Sequence, residues 1–178
     1  MASTTSSAPI QEQIDQSAPT AVDRALALVR IALGWVFLWA FLDKTFGLGF
    51  NSPAGQGWID GSSPTAGFLA SRDGILGEIY QAMAGQAWAD WGFMAGMAGL
   101  GIALTFGVGM RATAVGGSIL MVTMWGAMLP LESNPFLDVH LFYALTMIAL
   151  AAASAGDTWG LGRRWSRLRV VRRHPILR

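Results

Sequence analysis

The chain has 178 residues, of which 53% are hydrophobic and 13% charged, with a formal net charge of +1 and a mean hydropathy of +0.43. Soluble domains carry about 25% charged residues, so the composition argues against an ordinary cytosolic enzyme and excludes disorder over most of the length. No cysteine is present, which removes disulfides, thiolate metal sites and cysteine nucleophiles.

Residues 1–23 are rich in Ser, Thr, Ala, Pro and Gln and hold no Lys or Arg. Such a segment buries too little apolar surface to offset its ordering entropy, and a disordered cytoplasmic tail is expected. It lacks the basic start and adjoining apolar core of a secretory signal.

Four apolar segments follow, at about 25–43, 90–108, 111–131 and 138–156. Arg30 is the one charge between Ala25 and Leu42, and the runs 91–108 and 112–131 hold none. His140 is the one group between Val139 and Gly156 that ordinarily titrates near neutral pH. About 20 residues at 1.5 Å each cross a bilayer core of roughly 30 Å. Inside lipid the backbone must satisfy its own polar groups, so such segments are helices. The expected fold is all-α: an integral membrane four-helix bundle over 24–162, with a long outer loop containing one or two short interfacial helices.

The loop from Asp43 to Ala87 is too long for a turn. Ser63 followed by Pro64 reads as an N-cap with proline at the first helical position. Ile75, Leu76, Ile79, Tyr80 and Met83 then recur as one apolar stripe of a short helix. That helix either lies on the outer surface as a lid or re-enters to wall a site between the spans. Gly92, Gly96, Gly99 and Gly101, with Gly116 and Gly117 in the third span, read as small residues for close helix packing. The turn Gly107-Val108-Gly109-Met110-Arg111 makes an antiparallel hairpin of spans two and three.

The last segment, 163–178, carries Arg163, Arg164, Arg167, Arg169, Arg172, Arg173 and Arg178 with no acid. The remaining five basic residues face eleven acids, so an acidic body of −6 bears a tail of +7. Basic residues favour the cytoplasmic side of a membrane. Placing both termini there gives that side Arg24, Arg111 and the tail, and leaves only Lys44 and Arg72 outside. The expected location is thus the plasma membrane, multi-pass. A basic segment beside a span meets anionic lipid headgroups more naturally than nucleic acid.

Charges near a bilayer are costly unless paired or hydrated, which makes them informative. Asp43 and Lys44, Asp90, Glu132, and Asp138 with His140 fall at the outer ends of spans. His140 has the ordinary pKa to trade protons near neutrality and is the leading catalytic candidate, with Lys44 and Asp43. The plainer alternative is an interfacial hydrogen-bonding histidine. Arg30 lies thirteen residues from Asp43, about 20 Å along a helix, and so belongs to another layer. It either snorkels to the cytoplasmic interface or pairs with Asp157, or meets a ligand carbonyl beside Gly34. No haem-ligand pair, flavin fingerprint or metal set appears.

Arg30…Gly34-Trp35-Val36-Phe37-Leu38…Asp43-Lys44, a Gly-rich second span, and a fourth opening Asp138-Val139-His140-Leu141 resemble the DoxX/DoxD family of bacterial membrane proteins. Trp58-Ile59-Asp60-Gly61 and Ser63-Pro64-Thr65 resemble its actinobacterial branch, described as the large subunit of a thiosulfate:quinone oxidoreductase. The resemblance covers about Arg24 to Gly162. It implies electrons passing from thiosulfate or another sulfur donor to quinone, with a second redox subunit. On that reading His140 moves protons, Lys44 and Arg30 contact quinone, and Asp43, Glu132 or Asp138 orient them. A chain without cysteine carries no persulfide, so sulfur handling falls to the ligand itself or a partner. The alternative is a non-catalytic anchor or accessory subunit of a respiratory or oxidoreductase complex. A small transporter would need broken helices and inverted halves, which are not evident.

Overall fold

The computed structural model describes residues 18–132 and 134–178. The elements in chain order are α1 (Ala21–Phe46), α2 (Ala66–Ala70), α3 (Gly77–Met83), α4 (Ala87–Phe106), α5 (Met110–Ala127), α6 (Val139–Ala152), α7 (Gly162–Trp165) and α8 (Arg169–Arg173). Single 3₁₀ turns occupy Trp58–Asp60, Ala155–Asp157 and Pro175–Leu177, and no strand occurs among the described residues. Two helices, α1 and α4, are long and apolar enough to cross a bilayer core, and α6 is apolar but shorter.

Local chemistry sets the boundaries. Thr20 Oγ1 accepts the N–H of Asp23 at 3.1 Å, and Asp23 Oδ2 accepts that of Thr20 at 2.8 Å. This reciprocal cap satisfies two orphan donors and starts α1 inside the segment read as a tail. Of that segment, residues 1–17 lie outside the described residues. α5 and α6 end at Ala127 and Ala152, short of the expected limits of 131 and 156. Pro130 supplies no N–H and disfavours a helical Leu129. Ser154, at φ 51°, turns left-handed and breaks the fourth helix.

The long helices share one core, built on Leu33 and Phe37 of α1, Met97 and Leu104 of α4, Met121 of α5 and Met147 of α6. α1 packs along α4 and α5 along α6, while α4 and α5 touch less. A Cβ on Gly34 would stand 2.7 Å from the Thr105 backbone, and one on Gly101 2.7 Å from that of Leu38. These two glycines allow the α1–α4 crossing. The expected packing stripe divides, however: Gly92, Gly99 and Gly116 face open space. Outward-facing side chains on the long helices include Trp35, Ile119, Phe142 and Leu145.

The C-terminal segment folds back. Val171 is buried, Trp165 Nε1 donates to Leu177 O, and the N–H of Arg111 donates to Arg178 O at 2.7 Å. The arginine-rich segment therefore closes the end of the molecule that holds the α4–α5 turn. α2 and α3 cover the opposite end, their own small core being Leu69, Tyr80 and Ala127.

Candidate functional site

A cavity of about 250 Å³ lies beneath α2 and α3. The covering helices supply Phe68, Leu69, Tyr80 and Met83, α4 supplies Trp88, Gly92 and Phe93, α5 supplies Leu120 and Met124, and α1 supplies Lys44. The cover is pinned by Asp90, a buried carboxylate near the start of α4. It accepts from Ser63 Oγ at 2.8 Å, Thr65 Oγ1 at 2.5 Å and the Thr65 N–H at 3.3 Å. Ser63 Oγ also accepts the N–H of Ala66 at 3.0 Å, but α2 begins at Ala66 with Thr65 in the cap position, so Ser63 and Pro64 form the turn before the helix rather than its N-cap and first residue. On the far side, Tyr80 Oη donates to Thr123 O at 2.7 Å, and burial pushes its phenol up from the ordinary value. The stripe read for α3 splits: Tyr80 is buried, and Leu76 and Met83 pack beside it, but Ile75 and Ile79 are exposed.

The cavity's hydroxyls are already committed. Thr65 serves Asp90, Tyr80 serves Thr123 O, and Thr123 Oγ1 donates to Ile119 O at 2.9 Å. The Lys44 ammonium is different: it has no hydrogen bond or ion pair within contact distance among the described residues, and its Nζ lies 5.9 Å from the centroid of the Phe93 ring. An apolar chamber with one uncommitted cation suits a flat, largely apolar ring bearing carbonyl or anionic oxygens, since apolar walls contribute affinity and a few polar groups orient the ligand.

The expected cluster of Asp43, Lys44 and His140 is not gathered around one cavity. Asp43 is fully buried and turned into the loop that follows it. Its carboxylate accepts N–H groups from Phe50, Asn51 and Ser52 at 3.2, 2.9 and 2.8 Å. That loop-closing duty uses the acceptors a catalytic role would need. His140 sits at the start of α6, where its Nδ1 pairs with Asp138 Oδ2 at 2.5 Å, and it does not line the cavity. Asp138 caps α6 through the N–H groups of His140 and Leu141 at 3.0 and 3.1 Å. Burial pushes the Asp138 carboxyl up, but the His140 ring and these N–H groups outweigh it and hold the group below the ordinary carboxylate value. Glu132 is exposed and shares only an outer groove with Asp138 and Arg72.

Arg30 neither snorkels nor pairs with Asp157. Its guanidinium is completely buried at the opposite end of the molecule. Nε donates to Ala155 O at 3.1 Å, Nη1 to Leu104 O and to Thr105 O at 2.9 Å, and Nη2 to Thr158 O and Trp159 O at 3.2 Å each. All five donors of the side chain are taken by backbone carbonyls, those of Leu104 and Thr105 in the last turn of α4 and those of Ala155, Thr158 and Trp159 in the segment after α6. The positive charge thus meets the negative end of the α4 dipole, and no donor remains for a ligand.

Sequence reasoning placed Lys44 near the C-terminal end of the first helix, where it lies, but missed Gly92, Phe93 and Tyr80 as walls of one chamber and Asp90 as the residue that pins its cover. Gly92 was read as a packing residue and instead leaves open the cavity wall. Comparison of the chain with protein-family models, with curated proteins and with solved structures finds no match.

Proposed function

We propose that the chain is a DoxX-like multi-pass subunit of a membrane redox system, whose task is to hold a quinone headgroup beneath the α2–α3 cover. The observation that carries this reading is the uncommitted Lys44 ammonium in an otherwise apolar chamber. The chamber's size, near the lower end of small-ligand sites at about 300 Å³, suits one substituted ring with its isoprenoid tail running out into lipid. Two helices of spanning length and the apolar outer faces of the long helices support membrane insertion. The concentration of arginine at one end supports cytoplasmic termini.

Reduction of a quinone to quinol takes two electrons and two protons. Lys44 donates a hydrogen bond to a carbonyl oxygen, where negative charge develops as electrons arrive. Electrons come from thiosulfate or another sulfur donor through a second subunit, because this chain has no thiol on which sulfur could be carried. With its ring paired to Asp138 away from the chamber, His140 serves the α6 terminus rather than the quinone.

The test is thiosulfate-dependent quinone reduction by the protein extracted in mild detergent, with and without co-purifying subunits. Activity that requires a partner and falls with Lys44→Met supports the reading. Full activity in Lys44→Met would refute it. Unchanged complex activity despite loss of quinone binding by this chain would favour the alternative, a non-catalytic anchor whose folded arginine segment faces a cytoplasmic partner.

A further inference from the structure

A second groove runs between α5 and α6 at the arginine-rich end. We propose that it is a phospholipid site, with an anionic headgroup on Arg111 and an acyl chain lying along the two helices. The inference rests on the reading that the chain is membrane-inserted with this end cytoplasmic.

The groove encloses about 600 Å³. Val115 and Ile119 line it from α5, and Ile148 and Ala152 from α6. Val115, Ile119 and Ile148 are 51%, 65% and 49% exposed, so this apolar slot is uncovered by the chain itself. At its mouth stands Arg111, one turn before Val115 on the same helix face. The Arg111 backbone N–H holds Arg178 O at 2.7 Å, and its Nη1 approaches Pro175 O at 3.4 Å. The folded C-terminal segment therefore fixes the helix end beneath the guanidinium. The remaining guanidinium donors have no acidic partner among the described residues, and Asp157 nearby makes no ion pair with them.

A cation above an apolar slot matches an amphiphile, and Arg111, with no acidic partner among the described residues, selects a negative head. Ser118, two turns below Arg111, also lines the groove. A helix from a partner chain would cover the slot but leave Arg111 without a counter-charge.

The full chain, extracted in detergent, is titrated in native mass spectrometry with phosphatidylglycerol, phosphatidylcholine of the same acyl chains, and glycerol phosphate. The expected result is one saturable phosphatidylglycerol per chain, weaker phosphatidylcholine binding and no glycerol phosphate binding. Arg111→Gln weakens the phosphatidylglycerol site about fivefold, equivalent to about 1 kcal/mol for one arginine at a charged lipid surface. Ala152→Trp, on an exposed position of the slot, removes the saturable site, and Ser118→Leu is the second filling variant should Ala152→Trp melt early. Unchanged binding in Arg111→Gln and both filling variants would overturn the site. So would loss of binding on changing Arg169, Arg172 and Arg173 to Gln alone, which marks diffuse surface attraction, and so would a dimer in place of a lipid adduct. Recovery of the chain in the soluble fraction would refute membrane insertion itself, whereas membrane-extracted protein without a saturable lipid would refute only this site.

Discussion

Replacing Arg30 with Met keeps the apolar stem and removes all five donors from the carbonyls of Leu104, Thr105, Ala155, Thr158 and Trp159. Each hydrogen bond to a charged group contributes about 1.5–3 kcal/mol net, and a buried carbonyl left unpaired costs about 1–3 kcal/mol. Part of that loss is returned, because the buried guanidinium no longer has to be desolvated. A net destabilisation of about 3–5 kcal/mol is expected, near the cost of breaking a buried charged pair. At about 2–4 °C per kcal/mol for a chain of this size, Tm should fall by at least about 6 °C. Arg30→Lys, with three donors, should fall between. Circular dichroism melting in detergent measures both, and quinone affinity of the surviving folded Arg30→Lys protein should stay within about twofold of the parent. A Tm unchanged in Arg30→Met, or affinity lost in Arg30→Lys at unchanged Tm, would refute the stapling role and restore Arg30 as a ligand contact.

Other perturbations read the same design elsewhere. Asp138→Ala should lower stability by about 0.5–2 kcal/mol through loss of the α6 cap, whereas Asp138→Asn keeps much of the cap. Because the folded Asp138 carboxyl titrates below its ordinary value, its contribution is present at neutral pH and lost as pH falls through that depressed value. Acid melting curves of parent and Asp138→Asn should therefore converge only once pH has fallen below the ordinary carboxylate range; convergence already at pH 6 would contradict this. Asp43→Ala should free the loop after α1, giving rapid amide exchange at Phe50, Asn51 and Ser52, and protection as in the parent would count against loop closure. Asp90→Ala should release the cover over the cavity, seen as faster proteolysis between Ser63 and Gly85 and weaker quinone retention. A variant as resistant as the parent would show that Asp90 does not pin it.

The four long helices and their order are legible in the apolar runs, but the short helices α7 and α8 of the arginine-rich segment are not, and the Thr20/Asp23 cap that starts α1 is a local signal lying inside the stretch read as a tail. Helix ends were harder because distant partners decide them. Four of the last carbonyls near α4 and α6 are claimed by a side chain seventy-five or more residues away in sequence, and no local pattern announces that. The same limit applies to the candidate site. Asp43 and Lys44 are adjacent, yet successive helical positions point apart, so one closes a loop and the other enters the chamber. His140 stood out as the titratable residue near a span, but its neighbour two positions earlier captures it. Asp90 and the Ser63/Thr65 pair are separated by twenty-five or more residues, and only folding reveals that they lock the cover.

The most direct test of the central claim is the affinity of a short-chain quinone for the protein in lipid nanodiscs, compared among the parent, Lys44→Met, Gly92→Leu and His140→Ala. Lys44→Met should weaken binding about tenfold, the loss of one charge-assisted hydrogen bond of about 1.5 kcal/mol. Gly92→Leu fills a wall position where a Cβ meets nothing within 4 Å, and should abolish binding without lowering Tm. His140→Ala should bind as the parent does. Equal affinity in Lys44→Met and Gly92→Leu, or loss confined to His140→Ala, would contradict the account.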